Sequence, residues 1–115
     1  MSIRIKRVYD PPSPGDGPRI LVDRLWPRGI SREKARIDHW IKEVAPSHDL
    51  RRWYGHEPHK WPEFRKRYFV ELDANSEAID ALRAAMPKGK ATFLFSSKET
   101  ELNNATALRE YLQRD

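Results

Sequence analysis

Apolar residues alternate with polar ones at the start of the chain, run together in two later stretches, and recur every three or four residues in between. These periods predict strands and helices. Ile3, Ile5 and Val8–Tyr9 sit among Arg4, Lys6 and Arg7, the alternation of a first strand. Ile20, Leu21 and Val22 form a short apolar run, and so does ATFLFSS from Ala91 to Ser97. Such runs predict central strands covered on both faces, over Ile20–Leu25 and Thr92–Phe95. Between the first two strands, Asp10 to Pro18 (DPPSPGDGP) is rich in Pro and Gly and reads as loop. Nine residues fall short of a helical crossover, which leaves the direction of the first strand relative to the second open.

Helical spacing accounts for most of the remainder. Ser31 is placed to cap a helix whose apolar stripe is Ile37, Trp40, Ile41 and Val44, closed by Pro46. Ser47 is placed to cap a short helix carrying Leu50, Trp53 and Tyr54, which Gly55 closes. Trp61, Phe64, Tyr68 and Leu72 share one face of a third helix, which begins at Pro58 with a distorted first turn or restarts at Pro62. Ser76 caps a fourth, with Ile79, Leu82, Ala85 and Met86 inward and Gly89 at its end, and Leu102, Ala105, Leu108 and Leu112 mark the last. Strands separated by helices predict a single α/β domain with a small, mostly parallel sheet flanked by helices. Trp40, Trp53 and Trp61 are expected to be largely buried.

Composition narrows the function classes. At 115 residues the chain has room for one core. It has no cysteine, so disulfides, thiolate metal sites and cysteine nucleophiles are excluded. His39, His48, His56 and His59 show no convincing ligand spacing, and neither a metal nor a cofactor is expected. No apolar run reaches a membrane-spanning length and the N-terminus lacks a signal-peptide core, so a cytoplasmic protein without a membrane partner is expected. The net charge of +5 suits nucleic acid or phosphorylated small molecules.

The candidate chemistry gathers where the two apolar strands end. Asp23 and Arg24 follow the first, at the edge where a parallel sheet presents its ligand crevice. Pro27 and Gly29 stop the strand, and the capped helix predicted after Ser31 would bring Arg28 near a helix N-terminus, which suits an anion. The other strand runs into Ser96, Ser97 and Lys98, with Asn103 and Asn104 at the start of the last helix. Asp23 is then the candidate catalytic base or nucleophile. Arg24, Trp26, Arg28, His56, Ser96, Lys98, Asn103 and Asn104 are the candidate ligand-binding residues. The plainer alternatives are an Asp23–arginine ion pair, a packing Trp26, a capping Asn103 and a solvated Lys98. No glycine-rich phosphate loop, GxSxG elbow or HExxH motif is present. The reading is an anionic, nucleotide-type ligand-binding domain or enzyme. The alternative is a nucleic-acid-binding module without catalysis, resting on the aromatic and basic residues interleaved from Arg51 to Tyr68.

Three blocks carry a resemblance: LVDRLWPRG (21–29), WYGHEPHKWPEFRKRY (53–68) and LFSSKETELNNATALREYL (94–112). They resemble the signature blocks of the YeaO-like family, domain of unknown function 488. The resemblance implies an α/β fold with a parallel sheet and no assigned activity. It also implies differences. Longer relatives carry Asp-Val-Arg where this chain has Asp23–Arg24, and a cysteine with a Cys-His-Arg cluster around Ser96–Lys98 and Asn103–Ala105; many close relatives have His at the position of Asn104. Without those residues, a thiol or imidazole mechanism at the second loop has nothing here to carry it.

Overall fold

The computed structural model describes residues 1–114. The strands are β1 (Ser2–Arg7), β2 (Arg19–Leu21), β3 (His39–Trp40) and β4 (Lys90–Phe95), and the helices are α1 (Arg32–Ala35), α2 (His48–Tyr54), α3 (Trp61–Asp73), α4 (Ser76–Ala84) and α5 (Asn104–Gln113). The sheet has the order β1-β4-β2-β3 and every pairing is parallel, which resolves the direction of the first strand. The two apolar runs are the two inner strands, as expected of residues covered on both faces.

The two faces are covered very differently. On one, Ile3, Ile20, Ala91, Phe93 and Phe95 pack with Leu50, Phe64, Tyr68, Leu82 and Leu108 from the four longer helices. On the other, Leu21 and Leu94 meet only Val8, Ala35 and Ile37, with Ile30 and Trp40 alongside. The rest of that face is polar. Arg4, Thr92 and Arg19 lie in register across three strands. Because β4 separates β1 from β2, the segment joining them must pass over β4. A 3-10 turn within it, Pro14–Asp16, brings Asp16 down onto this polar row. Its carboxylate meets Arg4 (3.2 Å), Lys6 (3.1 Å) and Arg19 (2.7 Å), and its carbonyl accepts the Thr92 hydroxyl at 2.8 Å. The Pro- and Gly-rich stretch is thus a crossover without an α-helix, anchored by an ion cluster around the buried Asp16 and Arg19.

Several expectations need correction. The helix after Ser31 is one turn long, although Ser31 does cap it by accepting from the Lys34 N–H. Arg36 takes a left-handed conformation (φ 50°) and turns the chain out of the helix. Arg32 then donates to the Ile37 and Asp38 carbonyls, and the Asp38 carboxylate accepts from the Arg19 N–H at 2.8 Å. These bonds lay His39 and Trp40 on the edge of β2, so the stripe Ile37–Trp40–Ile41–Val44 is a strand and a 3-10 turn read as a helix. Regular pairing in β2 stops at Leu21, short of the predicted Leu25, although the Val22 N–H still reaches the Leu94 carbonyl. Trp40, Trp53 and Trp61 are half-buried, because each ring lies at the margin of the core; Tyr54, Phe64 and Tyr68 hold the interior. Ser76 is the first residue of α4 and Asn75 stands at the cap position, its amide donating to the Glu43 carbonyl. Pro58–Lys60 forms a 3-10 turn that leads into α3, with Pro62 harmless in the first turn.

Candidate functional site

The chain leaves β2 at Val22 and β4 at Phe95, side by side at the carboxyl edge of the sheet, where parallel strands open their crevice. Asp23 lies in that opening and ties its margins together. Its Oδ2 accepts from the Ser96 backbone N–H and hydroxyl, both at 2.9 Å, and its Oδ1 accepts from the Asn104 amide at 3.0 Å. Asn104 also donates to the Val22 carbonyl at 3.2 Å. Asp23 makes no ion pair among the described residues, so the predicted alternative of an arginine partner does not hold this turn. The Asp23 backbone is fixed as well, its carbonyl accepting from the Trp40 indole at 2.8 Å.

Two adjoining depressions meet at Asp23, Arg51 and Ser96, which line both. The first, of about 330 Å³, is walled by Pro46, Tyr54 and Phe64 and carries Arg24, Arg51, Arg52 and His56 at its polar margin. The second, of about 280 Å³, lies between Tyr9, Leu25, Trp26, Pro27 and Arg28. These volumes stand at the small end of ligand pockets. Of the described arginines without a carboxylate partner, Arg24, Arg28, Arg51 and Arg52 line these depressions and Arg7, Arg32, Arg36, Arg83 and Arg109 do not; Arg4, Arg19, Arg65, Arg67 and Arg114 are ion-paired. Arg24 is steadied by donating to the Ala45 carbonyl at 3.2 Å. Three arginines against one aspartate make the first depression electropositive.

His56 follows the left-handed Gly55 and is itself left-handed (φ 57°). A side chain at positive φ is strained, and this left-handed pair, Gly55 and His56, forms part of the rim of the depression. The tyrosines beneath are neutral fixtures. Burial, with help from Glu99, raises the Tyr54 phenol, which donates to the Leu102 carbonyl at 2.8 Å. Burial, reinforced by Asp23 and Glu71 and opposed by Arg24, holds the Tyr68 phenol well above its ordinary range; it donates to the Val44 carbonyl.

Most of the predicted site residues come together here. Asp23, Arg24, His56, Ser96, Asn103 and Asn104 line the first depression, and Trp26 and Arg28 the second. Asn103 is engaged as the cap of α5: it accepts from the Thr106 N–H at 3.0 Å, and its amide donates to the Glu99 carbonyl at 2.9 Å. Lys98 is exposed and lines neither depression. The predicted pair of helix N-termini reduces to the α5 terminus, since α1 is a single turn. Arg51 and Arg52 were assigned by sequence to a strand-binding stretch, yet α2 turns them into the crevice. No local pattern in the sequence marks them as site residues, because their place there depends on how α2 packs against the sheet. Among the described residues no group of three or more His, Asp or Glu side chains is placed to hold a metal ion, and no helix is long and apolar enough to cross a membrane.

Comparison with known proteins places the chain. Residues 2–115 match the family DUF488-N3i, described as the inactive DUF488-N3 subclade. The uncharacterized protein YeaO of Escherichia coli (strain K12) is 42% identical over 113 residues, covering 98% of each chain. The uncharacterized proteins Mb3100c of Mycobacterium bovis and Rv3073c of Mycobacterium tuberculosis are each 39% identical over 110 residues, covering 96% of this chain and 92% of theirs. No solved structure matches. The parallel sheet that brings the three signature blocks together at one edge is therefore that of a YeaO-like protein, and the chain belongs to the DUF488 family.

Proposed function

We propose that the chain is a binding domain for a phosphate-bearing anionic small molecule, seated at the carboxyl edge of the sheet. The observation that carries this reading is the convergence of four arginines without carboxylate partners among the described residues, Arg24, Arg28, Arg51 and Arg52, on two adjoining hollows. Guanidinium groups crowded at one edge repel each other, and an anion with several oxygens relieves that repulsion through charge-assisted hydrogen bonds. Binding without turnover fits the rest of the site. The carboxylate of Asp23 is occupied by neutral donors from Ser96 and Asn104, and among the described residues no imidazole or second acid is hydrogen-bonded to it. The description of the matching family as an inactive subclade supports the same choice.

The alternative, a nucleic-acid-binding module, has less support. Its aromatic and basic stretch is partly neutralised: Lys60 pairs with Glu57 and Arg67 with Glu63 inside it, and Arg65 with Glu110 of α5. The Trp53 ring is covered by the Lys60 ammonium and the Arg67 guanidinium, at 5.0 and 4.3 Å from its centroid. A ring so covered is a poor platform for stacking bases. Thermal denaturation with inorganic pyrophosphate tests the main reading, since a ligand at one hundred times its Kd adds about 2.7 kcal/mol of stability. An unchanged midpoint at millimolar pyrophosphate would remove it.

A further inference from the structure

The walls of the second depression are unusual for this molecule. Among the described residues the exposed large hydrophobic side chains are Met1, Tyr9, Leu25, Trp26 and Val70. Tyr9, Leu25 and Trp26 all border this one hollow, with Leu25 61% and Trp26 36% exposed. Scattered exposed apolar groups need no explanation, but a cluster rimmed by charge marks a binding surface. The Trp26 ring is also held in place. Its indole N–H donates to the Ile30 carbonyl at 3.0 Å, and its ring packs edge-on against Trp40, with centroids 5.3 Å apart. One side of Tyr9 is taken by the Arg7 guanidinium, 4.9 Å from the ring centroid, while its hydroxyl donates to the Arg28 carbonyl at 2.8 Å. Trp26 is thus a pre-ordered aromatic surface that loses little freedom on binding.

Asp23 sets the polarity. An ionised carboxylate offers about four acceptor positions, and Ser96 and Asn104 fill three of them. The remaining position, on Oδ1, accepts a hydrogen and repels a phosphate. A ligand spanning both hollows would turn a donor group towards Asp23 and its phosphate towards Arg24, Arg51 and Arg52.

We propose that the ligand, whose anionic part rests on the reading above, carries a planar heteroaromatic ring bearing an amino group, the ring against Trp26 and the amino group donating to Asp23. The ring occupies the second hollow and the phosphate the first, with Arg51 serving both. Ring and phosphate then act as separable contributions to affinity.

Calorimetric titration of the full chain separates them. The probes are inorganic pyrophosphate, ribose 5-phosphate, adenosine and inosine 5′-monophosphates, and cytidine and uridine 5′-monophosphates. The amino-bearing adenosine and cytidine compounds should bind at least about tenfold more tightly than ribose 5-phosphate and about tenfold more tightly than their carbonyl counterparts. Trp26→Ala, a change at an exposed ring, should abolish the advantage over ribose 5-phosphate while leaving pyrophosphate binding intact. In Asp23→Asn the amide oxygen stays opposite the Ser96 N–H and hydroxyl, and the NH₂ that replaces Oδ1 faces the Asn104 amide and no longer accepts from the ligand, so the preference for the amino-bearing compounds should be lost. If ribose 5-phosphate and pyrophosphate equal adenosine monophosphate, and Trp26→Ala changes nothing, the ring proposal fails while the anion site stands. If no probe binds, both fail. A single-stranded oligonucleotide that binds far more tightly than any mononucleotide, with steep salt dependence, would replace the proposal by strand binding.

Discussion

Asp23, just past the carboxyl end of β2, accepts two hydrogen bonds from Ser96, just past the carboxyl end of β4, one from its backbone N–H and one from its hydroxyl, each 2.9 Å long. With the Asn104 amide on the other oxygen, one carboxylate joins two inner strands to the first turn of α5. The donors are neutral, so this is a clamp of charge-assisted hydrogen bonds rather than an ion pair. Asp23→Ala would leave the half-buried Ser96 N–H and hydroxyl without their acceptor and the Asn104 amide with only the Val22 carbonyl. That should lower the unfolding free energy by about 1–3 kcal/mol, measured by urea titration. A loss under about 0.5 kcal/mol would show that the clamp does not support the fold.

The crossover makes a second, independent prediction. Asp16 and Arg19 are both nearly inaccessible, and replacing Asp16 by Asn leaves Arg19 buried without its counter-charge. Losing one side of a buried pair costs on the order of 3–5 kcal/mol. Chemical denaturation of Asp16→Asn at neutral pH measures it.

The same cluster predicts a pH dependence. Burial works to raise the Asp16 pKa, but the Ser13 N–H, Arg19 and Lys6 outweigh it and hold the group well below its ordinary 3.8. A depressed folded-state pKa contributes stability that is complete above the unfolded value and lost as pH falls towards the folded one. The stability gap between wild type and Asp16→Asn should therefore be constant from neutral pH down to about 4 and narrow below it. A gap that widened in acid would contradict the assignment.

Arg36 and His56 share a left-handed backbone but not a location. Glycine adopts that conformation without the Cβ penalty, so Arg36→Gly and His56→Gly should each raise stability, by about 0.5–1 kcal/mol. Only His56→Gly alters the lip of the first depression, and only it should weaken pyrophosphate binding. Equal effects of the two on binding would show that the His56 strain has no part in the site.

Much of this arrangement was readable from residue patterns, and the failures have identifiable causes. The inner strands were legible because Ile20–Val22 and Ala91–Phe95 are apolar apart from Thr92, and the caps Ser31, Ser47 and Asn103 because their side-chain oxygens stand three residues before an N–H they accept. The segment from Ile37 to Val44 misled because a two-residue edge strand followed by a 3-10 turn places apolar side chains at nearly helical intervals. What ended that helix was Arg36 in a conformation that glycine usually supplies, which leaves no mark in the sequence. At the site, strand ends indicated Asp23, Arg24 and Ser96. That Arg51 and Arg52 are also there depends on how α2 docks against the sheet, a long-range packing relation that local spacing does not carry.

The most direct test of the anion site is calorimetric titration of inorganic pyrophosphate into wild type, Arg51→Ala and Arg65→Ala at low ionic strength. Arg51 lines both depressions, whereas Arg65 is paired with Glu110 away from them. Pyrophosphate should bind wild type and Arg65→Ala alike, and Arg51→Ala at least about tenfold more weakly, the loss of one charge-assisted contact. Absence of binding to the wild type, or equal weakening by the two substitutions, would contradict the account.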